Sequence, residues 1–174
     1  MAKRISISTD QLSGETKQLF DVLNQSNDHS VILIAANFID ACLVSILEST
    51  FVAGKTTDKL LHHSGIVGSL LARAQIAYVL GKIPKNFYTN IVEIAEIRNA
   101  VAHHRIELTF EDTSIREKCA NLDTLIYPRD RDVGARDRFV LCTVMLTTWL
   151  LIYALEQKEI GAPPVRKDVE VIPP

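Results

Sequence analysis

The sequence predicts an all-α protein, a compact multi-helix bundle of five to seven helices. Only 7 of the 174 residues are Gly and 6 are Pro, below the usual ~7% and ~5%, so obligatory turns are few. Apolar residues recur three and four positions apart along most of the chain, which is the spacing of helices. Residues 105–110 alternate between polar and apolar side chains, but no second segment offers a strand partner.

The length indicates one domain. A chain of 174 residues with 47% apolar and 23% charged residues has the composition of a globular protein and can bury a core without disulfide or metal support. We expect a single helical domain over residues 1–161 and an extended or disordered tail over residues 162–174.

The first half of the chain contains three predicted helices. Leu12, Leu19 and Leu23 mark the first, over residues 11–24. The second, about residues 30–51, is apolar nearly all round, which places it at the centre of the bundle. Residues 54–58 are a predicted loop, and the next helix runs over about residues 66–80.

Three further helices are predicted in the second half. Pro84 favours the start of a helix over about residues 84–103. Asp112 or Thr113 caps a short helix that ends near Asn121. The last helix, about residues 135–160, ends at Gly161.

One part of the last helix is long and apolar enough to be considered as a membrane span. Residues 139–155 carry no charge, and about 17–20 apolar residues can span a bilayer. Three threonines interrupt the run, so we favour a central helix buried by its neighbours and expect no membrane insertion.

Charge and cysteine content restrict the partners and the compartment. The net charge is −2 and the pI about 6.2, unlike the basic surface of a conventional DNA-binding domain. Nucleic-acid contact would need a local patch. Cys42, Cys119 and Cys142 are an odd, widely spaced set, typical of reduced thiols in the cytoplasm, and the N-terminus lacks the apolar core of a signal peptide.

Polar side chains cluster at the end of helix 84–103. Glu96, Asn99 and His103 share a stripe because residues three and four apart are neighbours on a helix. Arg98 lies about 140° around the helix from His103 and ~7.5 Å along it. The two side chains converge only across a groove or a dimer axis. Alternatively, His103 and His104 are stabilised by the helix C-terminus and do no chemistry.

Asp40 is the second singular residue, because a carboxylate in an apolar helix is costly unless it is paired. One hypothesis pairs Asp40 with Arg98; the other turns Asp40 towards a loop or solvent. No metal site is predicted, because adjacent histidines such as His62 and His63 diverge by about 100° on a helix. No cofactor is predicted either.

Several segments together resemble the mannitol operon repressor family. The similarity involves residues 98–103, residues 110–116, Cys119 and the apolar helix with Asp40, and it covers about residues 31–155. It implies a compact helical transcriptional regulator without a recognisable DNA-reading motif. This chain likewise shows no clear helix-turn-helix.

The segment from Arg98 to His103 is also similar to the R-x4-6-H signature of HEPN domains. That resemblance implies a metal-independent ribonuclease that works as a dimer, with His103 as general base and Arg98 on the phosphate charge. In that case, the residues that bind the substrate or orient the catalytic side chains would be Asp40, Glu96, Asn99 and His104.

Our first interpretation is a cytoplasmic, repressor-type regulator that acts through protein or weak nucleic-acid contacts, as a homodimer. The alternatives are the HEPN-like ribonuclease and a non-catalytic helical scaffold.

Overall fold

The computed structural model describes residues 9–103, 108–124 and 133–164. These ranges contain seven helices and no strand, which confirms the all-α prediction. The helices are α1 (Thr9–Gln25), α2 (Asp28–Thr50), α3 (Lys55–Leu61), α4 (Leu70–Val79), α5 (Lys85–His103), α6 (Thr113–Asn121) and α7 (Ala135–Ile160).

The core is built around a central pair of helices, α2 and α7. α1 packs on both, α4 and α5 pack on α2, and α6 packs on α5 and α7. Fully buried side chains line the central contact, among them Ile32, Ile39 and Leu43 of α2 and Leu146 and Leu150 of α7. Burial of such side chains stabilises the fold by about 1.5–3 kcal/mol each. The predicted central position of the second helix is confirmed.

Both central helices are long and apolar enough to cross a membrane by length and composition alone, and about half of each apolar window is buried inside the bundle. α7, however, is not buried on all sides, which corrects the prediction for residues 139–155. Between the contacts that α1 makes at Thr148 and the segment after α6 makes at Cys142, one side of α7 is only partly covered by the described residues. This open side of α7 carries Leu141, Met145, Trp149 and Ile152.

The helix ends follow local chemistry. Asn27 caps α2, where its side-chain Oδ1 accepts a hydrogen bond of 2.8 Å from the Ser30 amide. Ser69 caps α4 in the same way, with its Oγ accepting from the Ala72 amide. The predicted bounds of α6 and α7 agree with the structure within a residue.

The segment between α2 and α4 differs from the prediction. Residues 55–58 were expected in a loop but belong to α3, and the helix expected from residue 66 begins only at Leu70. Residues 62–68 turn tightly against the end of α3. A Cβ atom at Gly65 or Gly68 would come within 2.3–2.4 Å of backbone carbonyl oxygens, so both positions require glycine. The spacing of apolar residues in this segment gave no indication of the turn.

Residues 105–107, which are half of the predicted extended segment at 105–110, and the tail beyond residue 164 lie outside the described residues, as does His104.

Candidate functional site at the end of α5

α5 packs against the bundle through its apolar side, and its polar residues near the C-terminal end face outwards. Seven side chains of the helix are buried against the bundle: Phe87, Asn90, Ile91, Ile94, Ala95, Ile97 and Val101. Because this buried side is continuous, it fixes the orientation of α5 about its own axis. The polar side chains near the end of the helix therefore point in defined directions.

Arg98, Asn99 and His103 lie next to one another at this end. Arg98 is half-buried, and its Nη1 donates a hydrogen bond of 3.0 Å to Asn99 Oδ1. Asn99 and His103 are exposed one turn apart. No described contact joins Arg98 to His103, so their joint catalytic role stays a prediction. The arrangement can hold an anion through the guanidinium.

Glu96 is directed towards α6. Its carboxylate forms an ion pair with Lys118 across the α5–α6 contact. The hydrogen bond to Glu96 raises the pKa of Lys118, an effect that desolvation partly offsets and that Glu93 also supports. Glu96 therefore fastens α6 to α5 in this chain.

Asp40 pairs with Arg73 of α4, which corrects the hypothesis that it pairs with Arg98. Arg73 is only 5% exposed, and its Nη2 also donates a hydrogen bond of 2.6 Å to the Leu61 carbonyl at the end of α3. This ion pair joins α2, α3 and α4. Burial selects it, because an unpaired charge there would be costly.

The role of Arg73 as the partner of Asp40 was not predicted, although the sequence contains a signal for it. Asp40 is the one charged residue between positions 31 and 47, and Arg73 is the one charged residue of α4. Two isolated opposite charges in apolar helices are expected to form an ion pair with each other. Asp40 Oδ1 and Arg73 Nε are buried without a hydrogen-bond partner among the described residues.

A second missed residue, Arg136, fastens the start of α7. It forms an ion pair with Asp28, and its Nη2 donates to the carbonyls of Leu23 and Ser26 at 3.0 and 2.6 Å. The same Asp28 accepts from the Phe110 amide at 3.0 Å. Arg136 therefore joins the end of α1, the start of α2 and the start of α7.

Two open clefts are described, and neither includes Arg98, Asn99 or His103. One, of about 420 Å³, lies between the α4–α5 turn and the end of α7, where Lys82 Nζ donates to Gln157 Oε1 at 2.8 Å. The other, of about 460 Å³, lies beside the start of α5 and includes Lys85 and Asn90. The Asn90 amide exchanges two hydrogen bonds with the backbone of Asp123.

The thiols are buried, and no disulfide joins them. Burial raises the pKa of Cys119 to about 12 and raises that of Cys142 still further, so neither forms a thiolate near neutral pH. Within residues 9–103, 108–124 and 133–164, no group of three or more His, Cys, Asp or Glu side chains is placed to hold a metal ion.

The described helices offer little for a phosphate backbone. None of them carries more than two exposed Lys or Arg side chains. A protein that neutralises several phosphates needs a row of such cations. The described surface does not show that row.

Fold and site together define an all-α protein with a fixed apolar core, an exposed polar helix end and two shallow clefts. Comparison with family models then assigns the chain: residues 15–133 match the model described as mannitol repressor, MtlR. The chain belongs to the mannitol repressor family, which confirms the resemblance found in the sequence. Membership supports a regulator-type role.

Two solved structures share the fold. The chain matches MtlR in the X-ray structure of the MtlR-HPr complex from Escherichia coli with a TM-score of 0.64 and 18% identity, over 78% of this chain and 98% of that chain. It matches a possible transcriptional regulator, YggD from Shigella flexneri 2a str. 2457T, with a TM-score of 0.63 and 16% identity, over the same shares. The search of curated proteins found no match.

Proposed function

We propose that this chain is a repressor-type transcriptional regulator that acts through contact with a protein partner, and that HPr is the first partner to test. The observation that carries the proposal is the fold match over 98% of an MtlR chain that was solved in a complex with HPr. Family membership over residues 15–133 supports the regulatory part.

Charge supports a protein partner over direct DNA binding. The net charge is −2, and the exposed cations of the described helices are scattered. Nucleic-acid binding gains most of its affinity from neutralised phosphates. A nucleic-acid contact of this chain is therefore weak, and the protein contact carries the regulation.

We also propose that the chain is a cytoplasmic homodimer, with residues 1–161 as one domain. The open side of α7 supports the dimer, because Leu141, Met145 and Ile152 are only partly buried by the described residues and Trp149 between them is exposed. Uncovered apolar stripes on helices commonly bury themselves against a second helix.

Size-exclusion chromatography with light scattering tests both proposals in one experiment. The chain alone is expected at twice 19.4 kDa, and addition of purified HPr from the same organism is expected to raise the mass of the eluting complex. An unrelated protein of similar size serves as the control for HPr. A mass that HPr leaves unchanged would overturn HPr as the partner.

Two variants of α7 sharpen the dimer test. Trp149→Glu places a charge in the middle of the apolar stripe and is expected to give the monomer mass. Ile160→Glu, at an exposed position at the end of the same helix, is the matched control and is expected to leave the dimer intact. A wild-type chain that elutes at 19.4 kDa would refute the homodimer.

A further inference from the structure

Exposed apolar side chains are concentrated around α4. Of the eleven large apolar side chains that are exposed among the described residues, five lie between positions 66 and 80: Ile66, Leu71, Tyr78, Val79 and Leu80. Scattered exposed apolar residues need no explanation, but a contiguous group marks an interaction site.

We define the α4 face as Leu71, Gln75, Tyr78 and Val79 of α4, together with Tyr88 of α5. The four α4 residues recur at helical spacing opposite the buried Arg73, Ala74 and Ala77. The rings of Tyr78 and Tyr88 stack with centroids 4.9 Å apart. α4 packs on α2 and α5, and none of the described helices covers the α4 face.

The α4 face is rigid before any partner arrives. Arg73 fastens α4 to Asp40 and to the Leu61 carbonyl. The turn before α4 is packed so closely that Gly65 and Gly68 admit no Cβ atom. Ile66 lies in this turn, and 89% of its surface is exposed. A surface that is already ordered loses little conformational entropy on binding.

The charge around the α4 face is mainly positive: positions 55–92 carry five Lys and Arg residues and one acidic residue, the exposed Asp58. The chain has 21 acidic residues, yet none lies between positions 59 and 92. Exposed Lys59, His62 and His63 lie before α4, and exposed Lys85 follows it. The ten residues of α4 separate these two groups by about 15 Å.

Exposed Asp58, next to Lys59, offsets only part of this basic edge, and the other carboxylates considered have partners elsewhere. Asp40 is already paired with Arg73. Glu93 and Glu96, the first acidic residues after position 92, act on Lys118 of α6. The α4 face therefore combines an uncharged apolar centre with a basic edge.

We propose that the α4 face is a docking surface for a second protein whose contact surface is apolar at its centre and carries Asp and Glu at its edge. Tyrosine side chains such as Tyr78 are typical anchors of protein interfaces, and the aliphatic side chains beside them exclude water from the contact. Complementary edge charges then select the partner and speed its approach. This proposal does not depend on HPr being the partner of the chain.

The charge pattern argues against other occupants. In a symmetric contact between two copies, a face meets itself, so the basic edges would meet and repel. A phosphate backbone needs cations at the centre of its contact, where the α4 face has Tyr78 and Val79.

Site-specific photo-crosslinking in the native cells identifies the occupant. Full-length chains carry Val79→p-benzoylphenylalanine or Ile66→p-benzoylphenylalanine, and Val22→p-benzoylphenylalanine on α1 is the matched control, since Val22 is also exposed. Both α4-region probes are expected to capture the same protein, at a peptide in which apolar residues are flanked by Asp or Glu. Capture of a second copy, of the chain's own segments, of lipid or nucleic acid, or of nothing above the control overturns the proposal.

Affinity measurements on the purified pair then test the chemistry. Val79→Glu is expected to weaken binding at least tenfold, and Val79→Lys to weaken it less, because only the first opposes an acidic edge. The double charge reversal Lys59→Glu with Lys85→Glu is expected to weaken binding and its salt dependence, whereas Lys17→Glu on α1 changes neither. Equal effects of Val79→Glu and Val79→Lys would refute the acidic edge.

Discussion

Arg73 and Arg98 lie in neighbouring helices, α4 and α5, and differ in what surrounds them. Arg73 is buried and divides its guanidinium between the Asp40 carboxylate and the Leu61 carbonyl. Arg98 is half-buried, and the described partner of its Nη1 is the neighbouring Asn99 side chain. The first arginine holds three helices together, whereas the contact described for the second stays within α5.

Burial determines whether a lone arginine in an apolar helix needs partners within the fold. Desolvation forces a buried guanidinium to find a carboxylate and carbonyl oxygens inside the fold. A guanidinium near the surface has water as an alternative partner, so its position reflects no such requirement. The expected effects of substitution therefore decrease from Arg73 to Arg98.

The largest effect is expected for Arg73→Met. The variant keeps most of the side-chain volume but leaves Asp40 and the Leu61 carbonyl unpaired, so we expect a loss of about 3 kcal/mol in the free energy of unfolding. Urea denaturation measures it. The double variant Asp40→Asn with Arg73→Met is expected to recover part of the loss, because it removes the unpaired charge; additive losses would contradict the pairing.

A smaller loss is expected for Asn90→Ala. Its side-chain amide bonds both the N–H and the C=O of Asp123, so the variant breaks two buried hydrogen bonds at a cost of about 2 kcal/mol. Asn86→Ala, at an exposed position one turn earlier in α5, is the matched control and is expected to stay within about 0.5 kcal/mol of the wild type. Equal denaturation midpoints for both variants would show that the Asn90 contacts contribute nothing.

The Glu96–Lys118 pair is expected to contribute a few tenths of a kcal/mol, because both side chains are accessible to solvent. The pKa of Lys118 is raised in the folded chain. The contribution is therefore complete below the unfolded pKa near 10.5 and disappears as the pH rises through the folded pKa. Glu96→Gln should lower stability at pH 8 and have no effect once Lys118 is deprotonated. The same small difference at all pH values would refute the ion pair.

The smallest effect on stability is expected for Arg98→Ala and His103→Ala, within about 0.5 kcal/mol. These variants also test the ribonuclease alternative. With RNA in EDTA, a protein-binding regulator leaves the RNA intact in wild type and variants alike. Cleavage that produces 2′,3′-cyclic phosphate ends in the wild type, and is lost in folded His103→Ala, would make the chain a ribonuclease.

Helix periodicity and end signals made most of the fold predictable. The predicted bounds of α6 and α7 hold within a residue because Asp112, Gly134 and Gly161 mark their ends. The turn at residues 62–68 was not predictable, because its tightness depends on the contact of Gly65 with the end of α3 and of Gly68 with the backbone of His62 and His63. Spacing within one segment carries no information on such a contact.

The candidate site was predictable only in part. Helix geometry places Asn99 one turn before His103, as the structure shows. The partner of Asp40 was assigned wrongly because pairing between helices depends on which helices are neighbours, and α4 lies closer to Asp40 than the end of α5 does. Single-sequence reasoning lacks that information.

The salt dependence of binding distinguishes regulation through a protein contact from regulation through contact with DNA. Labelled full-length chain is titrated with HPr and, separately, with duplex DNA from the mannitol operon promoter region between 50 and 200 mM NaCl. We predict saturable binding of HPr at both salt concentrations and weak binding of DNA. No binding of HPr, together with tight DNA binding that falls by about 10³-fold or more over this range, would contradict the account.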